Sequence, residues 1–173
     1  MGWLRPTKKT GPKRADLTRS RSNIQAMRVS DYLSEKTIRF FPAGISLTQV
    51  LEQMIRSMDP PEPEIAFKAV MDREEAGATI IAAGLAIPHA RLPGISRIIA
   101  ALGICPTGIL HPSGDQIRLF VLFLSPKEKM REHLTFLASV SSLFQTEGLM
   151  DTLLQLTAAE AVMEQIRAAE KNL

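Results

Sequence analysis

Gly84-Leu85-Ala86-Ile87-Pro88-His89-Ala90-Arg91-Leu92-Pro93-Gly94 is an apolar run that stops on an imidazole, with a proline before it and an arginine two residues on. Leu85 to Ile87 has the length and composition of a buried strand. Pro88 has no N–H to give to a ladder, so the strand is predicted to stop there. His89 is then expected to project from a strand end. Pro93-Gly94 is a turn signal, so the chain reverses just after Arg91 and leaves His89 at a rim instead of deep in a core. A rim imidazole beside a cation can meet an anion.

Upstream, Ser30-Asp31 suggests a capped helical turn, and Thr37 to Phe41 has β-type composition before Pro42. Ile45, Val50, Leu51, Met54, Ile55 and Met58 follow helical spacing behind Ser46 or Thr48 as cap. After the break at Pro60-Pro61-Glu62-Pro63, the residues Ile65, Ala66, Ala69, Val70 and Arg73 recur on one face of a second helix, which Gly77 closes. Downstream, Arg97 to Ile104 reads as a buried strand and Pro106-Thr107-Gly108 as a turn. His111 to Asp115 is a second turn, with His111 expected to be an exposed loop histidine. Ile117 to Leu124 is the strongest strand signal. Ser125-Pro126-Lys127-Glu128 has the form of a capping box that opens a helix. On that helix Leu134, Leu137, Ala138, Ser141 and Phe144 form a stripe, and His133 lies at its N-terminal shoulder. Residues 148–156 and 158–169 supply two more helices, with Leu149, Leu153, Leu154, Val162 and Ile166 as core contacts. Aliphatic strands interleaved with amphipathic helices predict an α/β fold: a single domain over residues 29–170, with a mixed sheet of four or five strands flanked by helices.

At 173 residues and 45% apolar content the chain suits one globular domain with an aliphatic core. No window reaches the roughly 20 apolar residues that span a bilayer. The N-terminal stretch lacks the apolar centre of a signal peptide, so a cytoplasmic protein is expected. Cys105 is the only cysteine; it excludes an intrachain disulfide and reads as a small buried hydrophobe. Net charge is +3 and unevenly spread. Residues 1–28 hold eight basic side chains against Asp16 alone, a net +7, which leaves −4 for the domain at 29–173. The basic stretch has no sustained period and is expected to be a disordered tail. Nucleic acid or an anionic surface could meet its charge, but a charge run alone is a weak motif.

Taken together with Asp72-Arg73-Glu74 upstream and Arg131-Glu132-His133-Leu134 downstream, the central stretch resembles the enzyme IIA domains of the bacterial phosphotransferase system. The resemblance is to the mannitol/fructose type, including its nitrogen-regulatory branch. Three motifs carry it in order: Arg73, Glu74, Gly77 and Thr79; then Gly84, Ala86, Ile87, Pro88 and His89; then His133, Leu134, Leu137 and Ala138. The chain departs from the family pattern in the link, where Ile80, Ala82 and Ala83 stand in place of glycines and an asparagine, and at Ala90, which replaces a glycine. β-branched Ile80 does not adopt positive φ cheaply. Either the link follows another path, or those glycines never needed a left-handed conformation.

The resemblance implies a phosphoryl carrier or regulatory protein. His89 would accept the phosphoryl group, Arg73 would steady it, His133 would line the same pocket, and the Thr79 hydroxyl would offer a further contact. No cofactor and no metal are implied. The donor would be an HPr-like phosphocarrier, and the receiver a IIB cysteine or a regulated target protein. Such a chain is a phosphotransferase with a phosphohistidine intermediate if active. The regulatory reading leads, because the altered link suits slow signalling better than rapid flux. A soluble sugar-transport IIA subunit is the alternative, and a binding module that keeps the fold without the chemistry is another. A metal-dependent hydrolase ranks last, since His89 and His133 come with no third ligand at metal-binding spacing.

Overall fold

The computed structural model describes residues 27–77, 79–82 and 84–173. The expected tail therefore lies outside the described residues, except for its last two positions. Met27 is partly buried, and its amide donates to Ser139 Oγ at 3.1 Å, so the ordered domain begins at least two residues before position 29.

Six strands form one mixed sheet: β1 (Ile38–Phe40), β2 (Ile80–Ala82), β3 (Leu85–Ala86), β4 (His89–Leu92), β5 (Ile99–Leu110) and β6 (Gln116–Pro126). Their order is β1-β5-β6-β3-β2, with β4 also paired to β6. Because β3 and β4 run parallel to successive parts of β6, the six strands fill five lateral positions, the upper end of the expected number. β5 and β6 are long antiparallel partners at the centre. Side chains alternate across them, and both faces are covered.

On one face Ala101, Cys105, Phe120, Leu122 and Leu124 pack against α1 (Leu47–Met58) and α2 (Pro63–Glu75). On the other, Leu102, Ile104, Leu119, Val121 and Phe123 meet α3 (Met130–Leu143), α4 (Leu149–Gln155) and α5 (Ala159–Glu170). α1 starts where a capping box allows: Gln49 N–H donates to Ser46 Oγ, and Ser46 N–H to Gln49 Oε1. It stops at Asp59, which is left-handed at φ 50° ahead of Pro60. α2 begins with Pro63 in its first turn, where a missing N–H costs nothing.

Several expectations are corrected. The strand stops before Pro88 as expected, but His89 does not project from its end: pairing resumes there and His89 opens β4, with the Pro88 carbonyl accepting from Phe123 N at 3.1 Å. Pro106-Thr107-Gly108 does not turn the chain. β5 runs through it with a register irregularity between Ile104 and Ile109, and Gly108 takes φ 74° against the Gln116 side chain. Ser30 does not cap its 3-10 turn; its hydroxyl bonds Glu170 at 2.5 Å. Ser125-Pro126 does not open a helix but closes β6, and α3 starts at Met130. Ile65, assigned to the core face of α2, is 53% exposed, while Ala66 and Val70 face inward.

The buried side of α3 holds His133, Phe136, Val140 and Leu143, so the real stripe is rotated by about one residue from the expected one. Phe136 is wholly buried, in edge contact with Tyr32 and Phe123, whereas Leu134 is 55% exposed. Phe136→Ala should therefore cost about 3–5 kcal/mol in urea unfolding. Leu134→Ala should stay within about 0.5 kcal/mol of the parent. Equal losses would restore the stripe read from the sequence.

Candidate functional site

β4 presents His89 and Arg91 on one side and buries Ala90 and Leu92 on the other. Its register puts His89 opposite Phe123 and Arg91 opposite Ser125. The His89 ring therefore stacks on Phe123, with centroids 5.3 Å apart and planes 17° apart. His133 arrives from the first turns of α3 onto the same aromatic platform, 5.1 Å from Phe123 and 5.2 Å from His89. α2 lies alongside β4 and brings Arg73 to the rim, where its Nη1 donates to the Gly77 carbonyl at 2.9 Å. One bond anchors the guanidinium and leaves its other donors for a ligand. Arg73, His89, Arg91, Lys127, Met130 and His133 all line a solvent-open cleft of about 440 Å³.

Three of the four expected site residues thus meet: His89, His133 and Arg73. Thr79 does not join them. It is 6% exposed and its hydroxyl is bonded to the Glu74 carboxylate, while its carbonyl accepts from Ile87 N at 2.9 Å. It braces the break before His89 from behind and does not line the cleft. For Ile80 and Ala82 the link needs no left-handed conformation. Ile80 and Ala82 lie in β2, antiparallel to β3, and among the described non-glycine residues only Asp59 has positive φ. Among the described residues of the link, Gly84, at φ 85°, is the one with a left-handed backbone.

His111 is not exposed. It is 7% exposed, it receives the Ser113 backbone N–H at Nδ1, and its Nε2 lies 3.7 Å from Glu74 Oε2. Ser113 Oγ, 2.7 Å from His111 Nδ1, also reaches Asp115 Oδ2 at 2.7 Å, so the ring is tied to its own turn as well as to α2. Two further cations line the cleft: Arg91, which the sequence reading noted as the cation beside His89 but did not assign to the site, and Lys127, to which it gave no role. The spacing of two from His89 to Arg91 puts both on one side of the strand and was the signal for the first. Lys127 enters only through the parallel register of β4 on β6, which no local pattern carries.

Tautomers follow from the partners. His89 Nδ1 is 2.8 Å from the Ile87 carbonyl, which can only accept, so Nδ1 carries the proton and Nε2 keeps a lone pair. His133 Nδ1 is 2.7 Å from Ser125 Oγ. Among the described residues, neither Nε2 has a hydrogen-bond partner. Burial lowers the pKa of His89; the Ile87 hydrogen bond opposes this, the Arg73 charge adds to it, and Glu74 opposes it. His133 is pushed down from 6.5 to about 4 by burial, then by His89, Arg91 and Arg73. Both rings are neutral at pH 7, and the positive charge of the cleft comes from Arg73, Arg91 and Lys127. Among the described residues no group of three or more His, Cys, Asp or Glu side chains converges as a metal site.

A histidine that binds its proton more weakly when folded favours the folded state above its unfolded pKa, because the unfolded chain protonates first as pH falls. The contribution of His133 should be complete above pH 6.5 and lost as pH falls towards about 4. The expected loss is on the order of 2 to 3 kcal/mol across that window. Urea midpoints measured from pH 7 to 4 should show this fall, and His133→Gln should flatten it; an unchanged slope in the variant would place the effect elsewhere.

Residues 31–169 match the family described as phosphoenolpyruvate-dependent sugar phosphotransferase system, EIIA 2. Over 127 residues the chain is 31% identical to a nitrogen regulatory protein of Pseudomonas aeruginosa, covering 70% of this chain and 82% of that one. It is 24% identical over 151 residues to the fructose-specific EIIABC component of Bacillus subtilis, covering 84% of this chain. It spans only 24% of that longer relative. In fold it is similar to the nitrogen regulatory protein IIA-Ntr from Neisseria meningitidis, with TM-score 0.71 at 22% identity, covering 80% of this chain and 98% of that one. It is also similar to a chain of the Escherichia coli complex of enzyme IIAMTL and phosphorylated enzyme IIBMTL, with TM-score 0.64 at 18% identity, covering 79% and 97%. With the match running through both histidine segments and the cleft between them, the chain belongs to the EIIA type 2 family of the phosphoenolpyruvate-dependent sugar phosphotransferase system.

Proposed function

We propose that the domain at 29–173 is a phosphoryl carrier of the regulatory kind, phosphorylated on His89 Nε2 by an HPr-like phosphocarrier. The observation that carries this reading is the unpartnered Nε2 of a neutral imidazole, held by the Ile87 carbonyl in a cleft with three cations. The Nε2 lone pair attacks phosphorus as the bond to the donor's ring nitrogen breaks, and that nitrogen keeps the electron pair. The donor ring leaves as neutral imidazole because its other nitrogen carries a proton, and His89 keeps its Nδ1 proton against the Ile87 carbonyl, so no proton has to pass between the rings. Such transfer asks chiefly for in-line positioning and for charge facing the equatorial oxygens. Arg73, Arg91 and Lys127 supply the charge, and guanidinium forks suit phosphoryl oxygens. Phe123 fixes the plane of the attacking ring. The regulatory assignment is supported by the 31% identity to a nitrogen regulatory protein. Passage of the group to a IIB cysteine is the second reading, favoured by the likeness to the fructose-specific relative and to the mannitol IIA–IIB complex.

Incubating the chain with a phosphorylated HPr-like carrier and measuring acid-labile phosphate tests the proposal. His89→Ala should abolish uptake. Arg73→Ala should slow it by about 10²-fold, the loss expected when one preorganised donor is removed from a developing charge. Thr79→Val should affect stability more than the transfer rate, because the hydroxyl is engaged with Glu74. No uptake by the wild-type chain from any such carrier would leave a binding module that keeps the fold.

A further inference from the structure

We infer that Ser125 is a positioning residue that holds His133 as its Nε2–H tautomer, so that His133 donates a hydrogen bond into the cleft to an oxygen of the phosphoryl group on His89. The inference rests on the carrier reading above for the identity of that acceptor, but not for the tautomer. Ser125 lies near the end of β6 and is 0% exposed. By strand alternation it points to the same face as Phe123, the face that α3 covers. Its Oγ lies 2.7 Å from His133 Nδ1, and among the described residues it has no other hydrogen-bond partner.

A serine hydroxyl has one proton to give. If His133 carried its proton on Nδ1, Ser125 Oγ would accept it, and the serine's own proton would be left unpaired in a fully buried position. An unmade bond of that kind is costly to folding. If Ser125 donates to Nδ1 instead, both groups are satisfied with the distance observed. The proton of His133 is then on Nε2. That atom is free of protein partners, in a ring whose centroid is 5.2 Å from that of His89, at an angle of 59°. The cleft thereby holds two rings of opposite polarity. His89, tied to an acceptor through Nδ1, offers a lone pair at Nε2; His133, tied to a donor through Nδ1, offers an N–H at Nε2. One can take the phosphoryl group and the other can bind an oxygen of it. Because the rest of the cleft's donors are on long exposed side chains, the His133 N–H is the donor with the most fixed direction, and a strand residue sets it.

The test uses the full chain labelled with 15N-histidine, with Ser125→Thr and Ser125→Val as a pair matched in shape that differ in the hydroxyl. Long-range proton–nitrogen correlation spectra of the wild type should show His133 protonated at Nε2 and hydrogen-bonded at an unprotonated Nδ1. Ser125→Thr should keep that signature, and Ser125→Val should lose the Nδ1 hydrogen bond. At saturating phosphocarrier, Ser125→Val should take up phosphate about tenfold more slowly, with KM for the carrier unchanged, while Ser125→Thr recovers most of the rate. If the added methyl prevents either variant from folding, Ser125→Ala, with cooperative thermal unfolding as the control, is read the same way as valine. An Nδ1–H wild-type ring overturns the inference, as does a valine variant as fast as threonine. A wild-type chain that takes up no phosphate overturns the carrier reading and the donor role with it, while the spectra still report the tautomer.

Discussion

The parallel pairing of β4 with the last third of β6 is the constraint on which the site depends. Four residue pairs set it, from His89 opposite Phe123 to Leu92 opposite Pro126. A slip of one residue would turn His89 and Arg91 into the α2 face and bring Ala90 and Leu92 out. The apolar residues of β4 prevent this, since both are buried among the residues packed against α1 and α2. Burial on one side of a four-residue strand therefore aims the chemistry on the other. Pro88 contributes by withholding an N–H where the chain steps from β3 to β4. The gap leaves the Ile87 carbonyl turned towards its own histidine two residues on.

Phe123 links this local register to the interior. It is wholly buried, carries both imidazoles, and touches Phe136, which in turn meets Tyr32. The two rings thus lie on the core as well as at its edge. That burial is the reason both are held neutral: the imidazolium form would have to be desolvated beside Arg73. In the proposed carrier role, a neutral imidazole beside fixed external cations suits an anion that must be bound and then released.

Much of this was legible in the chain and some was not, for reasons that can be named. The helices closed by strong local signals were readable: α1 from Ser46 and its apolar spacing, and α4 and α5 from Leu149 to Ile166. The convergence of His89, Arg73 and His133 was expected from three motifs. The errors arose where tertiary partners override local pattern. Pro106 and Gly108 read as a turn, but the long pairing with β6 carries the strand through them with a bulge. Ser125 read as a cap because its neighbours fit a capping box, while its true partner lies eight residues on. The α3 stripe was read one residue out because it was anchored on Leu134, which is 55% exposed, and His133 was left off the buried face. His133 and Ser139 in fact face inward, each with a partner for its polar atom. Thr79 was given to the ligand when a buried carboxylate had taken its hydroxyl.

The turn between β5 and β6 has a consequence of its own. Surface hairpins usually accept insertions, since their tips touch little. Here His111, at the base of that turn, is buried against Glu74, the neighbour in sequence of Arg73, and Asp115 closes the turn onto Ser113 and the His111 amide. The hairpin is therefore a brace from the far end of the sheet to the last turn of the helix that carries the cleft arginine. In a family whose members include chains with several fused components, this edge is a poor place to splice in further sequence. Lengthening the turn would loosen the grip on α2 before it disturbed either histidine.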